Sequence, residues 1–225
     1  MIASPHSFSD DSCNPPVRGF FHVPEKSTGD ALILAHSAGS NAQAPLLIAL
    51  SDAFCAAGFA VLRCDLPYRQ TRSYGPPGPG DAARDRAGLN NAAAAVRKIA
   101  SGRIFLGGHS YGGRQASMLC AELSEKAPDL IAGLLLLSYP LHPPRKPQQA
   151  RTQHLPNLHT PSLFVHGTRD PFGTIQEMEQ ALKLIPARVK LLPIEGAGHD
   201  LGFKGKGKLH ELPEKVLSEF ENSLF

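Results

Sequence analysis

The sequence predicts an α/β protein with a mostly parallel central sheet of about six to seven strands and helices on both faces. Two observations carry that prediction. Short apolar runs alternate along the chain with longer segments of helical spacing. The apolar runs are also continuous, as strands covered on both faces of a parallel sheet require. The length agrees, since 225 residues at 42% hydrophobic content can bury one substantial core.

Residues 1–17 are polar and Pro-rich and read as a flexible leader, with a single domain over 18–225. RGFFHVP (18–24) reads as a short edge strand closed by Pro24. ALILAHS (31–37) is a strand buried on both faces, and 44–59 is a helix that stops at Gly58. AVLRCDLP (60–67) is the next buried strand. The turn-rich, basic stretch 66–86 reads as a long surface loop, and 86–101 as a helix ended by Gly102. RIFLGG (103–108) is a strand, 110–127 a helix, and 130–140 holds a strand. After a Pro- and His-rich connection at 142–160 come strand 161–170, helix 174–185 and a sixth strand plus loop over 189–200. FKGKGK (203–208) is a basic, glycine-broken loop, and 211–225 a closing amphipathic helix.

Several function classes lose support. A net charge of +3 does not single out a nucleic-acid partner. Cys13, Cys55, Cys64 and Cys120 form neither a CxxC pair nor a zinc-like spacing, so no disulfide framework is expected. The N-terminus lacks the basic-then-apolar pattern of a secretory signal. The apolar stretch 130–141 is too short for a membrane span of about 20 residues, so a cytoplasmic location without a membrane partner is expected. No HExxH, phosphate loop or dinucleotide fingerprint occurs, which leaves no metal and no cofactor in the expected site.

Open parallel sheets bind ligands beyond the C-terminal ends of their strands. There the chain places Gly-His-Ser-Tyr-Gly (108–112), a G-x-S-x-G pattern between a strand and a helix. A sharp strand-to-helix turn lifts the Ser110 hydroxyl clear of the sheet, and its neighbours two residues away must lack side chains. A serine needs a base to take its proton, and a histidine base needs a carboxylate to orient it. Asp170 ends strand 161–170, and His199 follows the strand VKLLPIE (189–195), in the order Ser, Asp, His. Acyl transfer also needs donors for the developing oxyanion. The backbone N–H of Tyr111, next to the nucleophile, is one. The other lies in the turn His36–Asn41, with the N–H of Ala38 favoured by position.

With these residues the chain resembles the α/β-hydrolase superfamily from about 30 to 220, on GHSYGG, HGTRDPFG and GAGHD. HSAGSN, FLGGHSYGGRQAS, LLLSYPLHPP and HLPNLHTPSLFVHGTRDPFG are further similar to a subfamily of small hydrolases. That subfamily includes testis-expressed protein 30 and the third subunit of the NSL histone acetyltransferase complex. The resemblance implies the fold and the triad but no substrate. The expected activity is hydrolysis of a small ester or thioester through an acyl-enzyme on Ser110. The alternatives are an acyltransferase or haloperoxidase-like enzyme on the same triad, or a non-catalytic protein-interaction module.

About 20 residues separate strand 130–140 from the acid strand, which leaves no room for a large helical lid. Loops 66–84 and 142–160 both leave strand ends and carry Arg69, Arg72, Arg145, Lys146 and Arg151. They read first as a solvated basic rim, with attraction of an anionic substrate as the second reading. Arg114, on the first turn after the nucleophile, opposes the helix dipole and is expected to have a carboxylate partner.

Overall fold

The computed structural model describes residues 4–203 and 211–224. Its sheet has eight strands: β1 (His6–Asp10), β2 (Val17–His22), β3 (Ala31–Ala35), β4 (Ala60–Cys64), β5 (Ile104–His109), β6 (Gly133–Leu137), β7 (Ser162–Gly167) and β8 (Val189–Ile194). The helices are α1 (Pro45–Ala56), α2 (Pro67–Thr71), α3 (Asp81–Arg97), α4 (Tyr111–Leu123), α5 (Ile175–Leu182) and α6 (Leu212–Leu224). In space the strands run β1-β2-β4-β3-β5-β6-β7-β8. All pairs from β4 to β8 are parallel, while β2 is antiparallel to both of its neighbours.

Strand alternation sorts the apolar side chains into two cores, one on each face. Ile33, Leu62, Leu106, Leu134 and Leu136 meet α3 and α4 through Leu89, Ala92, Val96 and Leu119. Leu32, Leu34, Val61, Phe105 and Leu135 meet α1 and α6 through Leu47, Phe54, Val216 and Phe220. In the second core Phe220 packs edge-on against Phe54 and Phe105, with centroids 5.1 and 5.0 Å apart. Such pairs contribute about 0.5–1.5 kcal/mol each beyond their buried area. The two-faced burial explains why β3 to β7 are almost unbroken runs of apolar residues.

Three expectations are corrected. The sheet has eight strands because part of the expected leader is itself a strand. Residues 6–10 pair in register with β2, from His6 opposite Phe21 to Asp10 opposite Val17. Phe8 and the His6 ring both pack on Phe21, each 5.7 Å away, while Ser7 and Ser9 are exposed. An edge strand covered on so little of its surface carries no long apolar run, and β2 is consequently not the edge.

The stretch 66–86 is a surface loop only over 72–80. Pro67 opens α2, which buries Tyr68 and Arg69, and α3 begins at Asp81 rather than 86. The buried stripe of α3 runs Asp85, Gly88, Leu89, Ala92, Ala93, Val96. Its first member is a carboxylate, so the helical period is hidden at the start of the helix. The connection from β6 to β7 holds only two short 3-10 turns, Pro147–Gln149 and Leu155–Asn157, so among the described residues no large lid covers the sheet edge. The loop read at 203–208 lies, apart from Phe203, outside the described residues.

Candidate active site

The elbow begins with a close approach of backbones. A Cβ on Gly108 would lie 2.4 Å from the Ala35 carbonyl oxygen, and one on Gly112 would lie 2.5 Å from that of His36. Both residues must therefore be glycine, and their fit sets the first turn of α4 directly against the exit of β3. Between them Ser110 adopts φ 53° and ψ −114°. A non-glycine residue held there costs about 1–3 kcal/mol. Its N–H donates to the Leu137 carbonyl at 2.8 Å, and its carbonyl accepts from the Arg114 N–H at 2.9 Å, so strand and helix both hold the turn.

The three sequence-identified side chains meet. His199 Nε2 lies 2.8 Å from Ser110 Oγ, and His199 Nδ1 lies 2.8 Å from Asp170 Oδ2. An ionised carboxylate only accepts, so Nδ1 carries the proton and Nε2 presents its lone pair to the serine. The other Asp170 oxygen, Oδ1, accepts the Phe172 N–H at 2.9 Å. The Asp170 side chain is fully buried and that of His199 is 24% exposed, which leaves the base reachable from outside. The acid and base turns interlock: Arg169 N–H donates to the Ala197 carbonyl at 2.9 Å, and a Cβ on Gly167 would strike that same oxygen.

Two further side chains steady the imidazole. The Phe172 ring lies 4.2 Å from the His199 ring at 32°. His109 Nε2 donates to the His199 carbonyl at 2.7 Å. The motif DPFG contains Phe172, but nothing in its spacing distinguishes a stacking ring from a core ring.

The turn after β3 is braced from below. The register pairs Ala35 with Gly108, so Ala38 and Tyr111 each lie three residues beyond a matched pair and leave the sheet side by side. Tyr68 Oη donates to the Ala38 carbonyl at 2.8 Å, and Arg69 Nε to the Ser40 carbonyl at 2.7 Å. Arg69 also reaches the carbonyls of Arg72 and Gly75, so it is a buried pin and not part of a solvated rim. His36 is buried. Its Nδ1 donates to the Ser37 carbonyl at 2.8 Å, while Nε2 accepts the Leu66 N–H at 3.1 Å. Burial foremost holds its imidazole below the usual range, consistent with a neutral brace.

Asp85 joins both halves of this region. Its Oδ2 accepts the Tyr111 hydroxyl at 2.7 Å and its Oδ1 the Tyr68 N–H at 3.1 Å. Burial raises the Asp85 carboxyl, and burial first, then the Asp85 hydrogen bond, raises the Tyr111 phenol. The phenol thus stays a donor. Sequence reasoning missed Asp85, Tyr68 and Arg69 because all three fall in the stretch read as a loop.

Arg114 departs from expectation. Among the described residues no carboxylate pairs with it, and its Nε is buried without a hydrogen-bond partner. The Tyr139 hydroxyl stands beside its guanidinium instead. Beside the β3 turn lies a cavity of about 310 Å³, bordered by Ser37, Ser40, Leu46, His109, Asp200 and Phe203. Among the described residues no group of three His, Cys, Asp or Glu side chains could hold a metal ion. Among them, too, no helix is long and apolar enough to cross a membrane.

Fold and site define a class. An α/β-hydrolase domain model matches residues 28–221, and the chain belongs to the α/β-hydrolase family. Solved structures share the fold over nearly whole chains. A dienelactone hydrolase from Anabaena variabilis is 21% identical, with a TM-score of 0.77 and full coverage of both chains. Est1E from Butyrivibrio proteoclasticus is 17% identical with a TM-score of 0.71, covering 98% of this chain and 99% of its own. XC6422 from Xanthomonas campestris, described as a serine hydrolase without a lid, is 15% identical with a TM-score of 0.69, covering 100% and 97%.

Proposed function

We propose that the protein is a cofactor-independent serine hydrolase that cleaves a small ester or thioester. The observation that carries this reading is the unbroken chain Ser110–His199–Asp170, with both contacts at 2.8 Å. Ser110 Oγ attacks the substrate carbonyl carbon while His199 Nε2 takes its proton. Asp170 holds the ring in that tautomer and stabilises the imidazolium. The carbonyl oxygen becomes an oxyanion, received by the N–H groups of Tyr111 and Ala38. Collapse breaks the bond to the leaving oxygen or sulfur, which takes the proton from Nε2. Water, deprotonated by the same nitrogen, then cleaves the acyl-enzyme and restores the serine hydroxyl.

Three features support a small substrate reaching an open site: the partly exposed His199, the absence of a large lid among the described residues, and the cavity of about 310 Å³. That volume is at the low end for ligand sites, which span roughly 300–1,000 Å³. The test is turnover of short-chain aryl esters and acyl thioesters by the pure full-length chain. Hydrolysis is expected in the wild type, with a fall of several orders of magnitude in Ser110→Ala. Turnover that survives Ser110→Ala contradicts the assignment.

A further inference from the structure

The cavity beside the β3 turn adjoins three of the proposed reacting groups. Ser37 and Gly39 flank Ala38, His109 precedes Ser110 and Asp200 follows His199, and all four line it. His109 also ties it to the base. Its Nε2 donates to the His199 carbonyl at 2.7 Å, and the two imidazole rings lie 5.4 Å apart. Strand pleating fixes the face on which the cavity lies. Alternate residues of β5 share a side, so His109 projects with Phe105 toward α1 and α6. The first residues of α1 complete the lining there.

That lining divides by origin. The turn that carries Ala38 contributes Ser37 and Ser40, whose hydroxyls suit the polar atoms of an ester. The start of α1 and the segment after His199 contribute carbon, through Ala44, Leu46 and Phe203. Leu46 belongs to the core between the sheet and α6, and Ala44 and Phe203 pack against that core. Close-packed interiors yield little, so this wall limits what can lie along it. A charged group placed against it would lose water and gain no partner, whereas an apolar chain gains by leaving water.

Volume sets the limit. The cavity's 310 Å³ or so matches about ten water molecules at their liquid volume. A methylene is close to a water in size, so a straight chain of about six to eight carbons fills the space. Each methylene taken out of water against such a wall strengthens transition-state binding by about two- to fourfold. Beyond the filled length that gain stops.

The geometry points to this cavity as the seat of an uncharged, straight aliphatic chain of the substrate, with Ala44 and Leu46 as the residues that set its preferred length. This rests on the serine-hydrolase reading. The test uses two ester series on the full-length chain: 4-nitrophenyl esters with straight acyl chains from acetyl to dodecanoyl, and acetates of straight alcohols from ethanol to decanol. In the wild type kcat/KM is expected to rise about two- to fourfold per methylene in one series, to an optimum near six to eight carbons. An optimum in the first series seats the acyl half of the substrate in the cavity, and one in the second seats the leaving group. Ala44→Leu adds carbon to the wall and should move the optimum to a chain shorter by about two carbons, while Leu46→Ala should move it to one longer by a similar amount. A general loss of packing would instead lower every ester alike. Fluorophosphonate labelling of Ser110 verifies that each variant is folded, and Ala44→Leu carries the test alone if Leu46→Ala does not fold. Rates without an optimum in either series, or an optimum that stays in place in every variant that labels, overturn the proposal. A wild type that neither labels nor turns over any ester overturns the serine-hydrolase reading instead.

Discussion

Tyr68 shows how much of the site's geometry depends on side chains that never touch a substrate. Its hydroxyl lies 2.8 Å from the Ala38 carbonyl and 3.3 Å from the Ser37 carbonyl, and the latter shares a peptide plane with the Ala38 N–H, the proposed oxyanion donor. Tyr68→Phe deletes that hydroxyl and leaves the packed ring. Steady-state kinetics on a short-chain aryl ester should show kcat falling on the order of tenfold, about 1.4 kcal/mol, with KM moving less. An unchanged kcat would remove Tyr68 from the positioning of that turn. At this scale legibility divides by chemistry. Ser110, Asp170 and His199 could be read because each is a reactive type at a strand end, in an order that few other arrangements share. Asp85, Arg69 and Arg114 could not be read, because their roles depend on partners 26 to 29 residues away or on having no acidic partner. Sequence spacing gives no access to such distances.

Gly112 carries the corresponding burden among the elements. Its missing side chain lets α4 abut β3, and a Cβ there would meet the His36 carbonyl oxygen at 2.5 Å and Ala35 at 2.8 Å. Both neighbours include backbone atoms at or just past the end of a central strand and cannot step aside cheaply. Gly112→Ala should therefore displace the first turn of α4 and the serine it presents. Activity is expected to fall on the order of 100-fold with a lowered Tm, since small misplacements of a reacting group have effects of that size. Wild-type activity with an unshifted melting curve would contradict this. The elements that could be read from the sequence share one property: β3 to β8 and most helices bury a continuous run or a regular stripe. β1 was missed because an edge strand needs little more than Phe8 on Phe21. The start of α3 was missed because its buried stripe opens on Asp85.

Across the whole molecule, buried polar groups give the fold a dependence on pH. Arg63 Nε donates to His22 Nε2 at 2.9 Å in the buried core, so that nitrogen must be unprotonated. Burial first, then Arg63 and His6, pushes His22 down to about 4. Between about 4 and the ordinary 6.5 the unfolded chain therefore binds more protons at this residue than the folded one. Its contribution to stability is complete above 6.5 and is lost as pH falls toward 4. His22→Gln keeps an acceptor for Arg63 and removes the titration, so Tm plotted against pH should be flatter over that window than in the wild type. A loss of about 1 kcal/mol reads as roughly 2–4 °C in a chain of this size. Equal slopes would contradict the assignment. The sheet edge, the elbow and the interlocked acid and base turns converge on one claim: Ser110 is a nucleophile activated by His199. Covalent labelling of the folded full-length chain with a fluorophosphonate probe, read by intact mass and by the modified peptide, tests that claim most directly. One adduct on Ser110, absent from Ser110→Ala and strongly slowed in His199→Ala, is the predicted result. No adduct on folded wild-type protein, or an adduct that persists in Ser110→Ala, would contradict it.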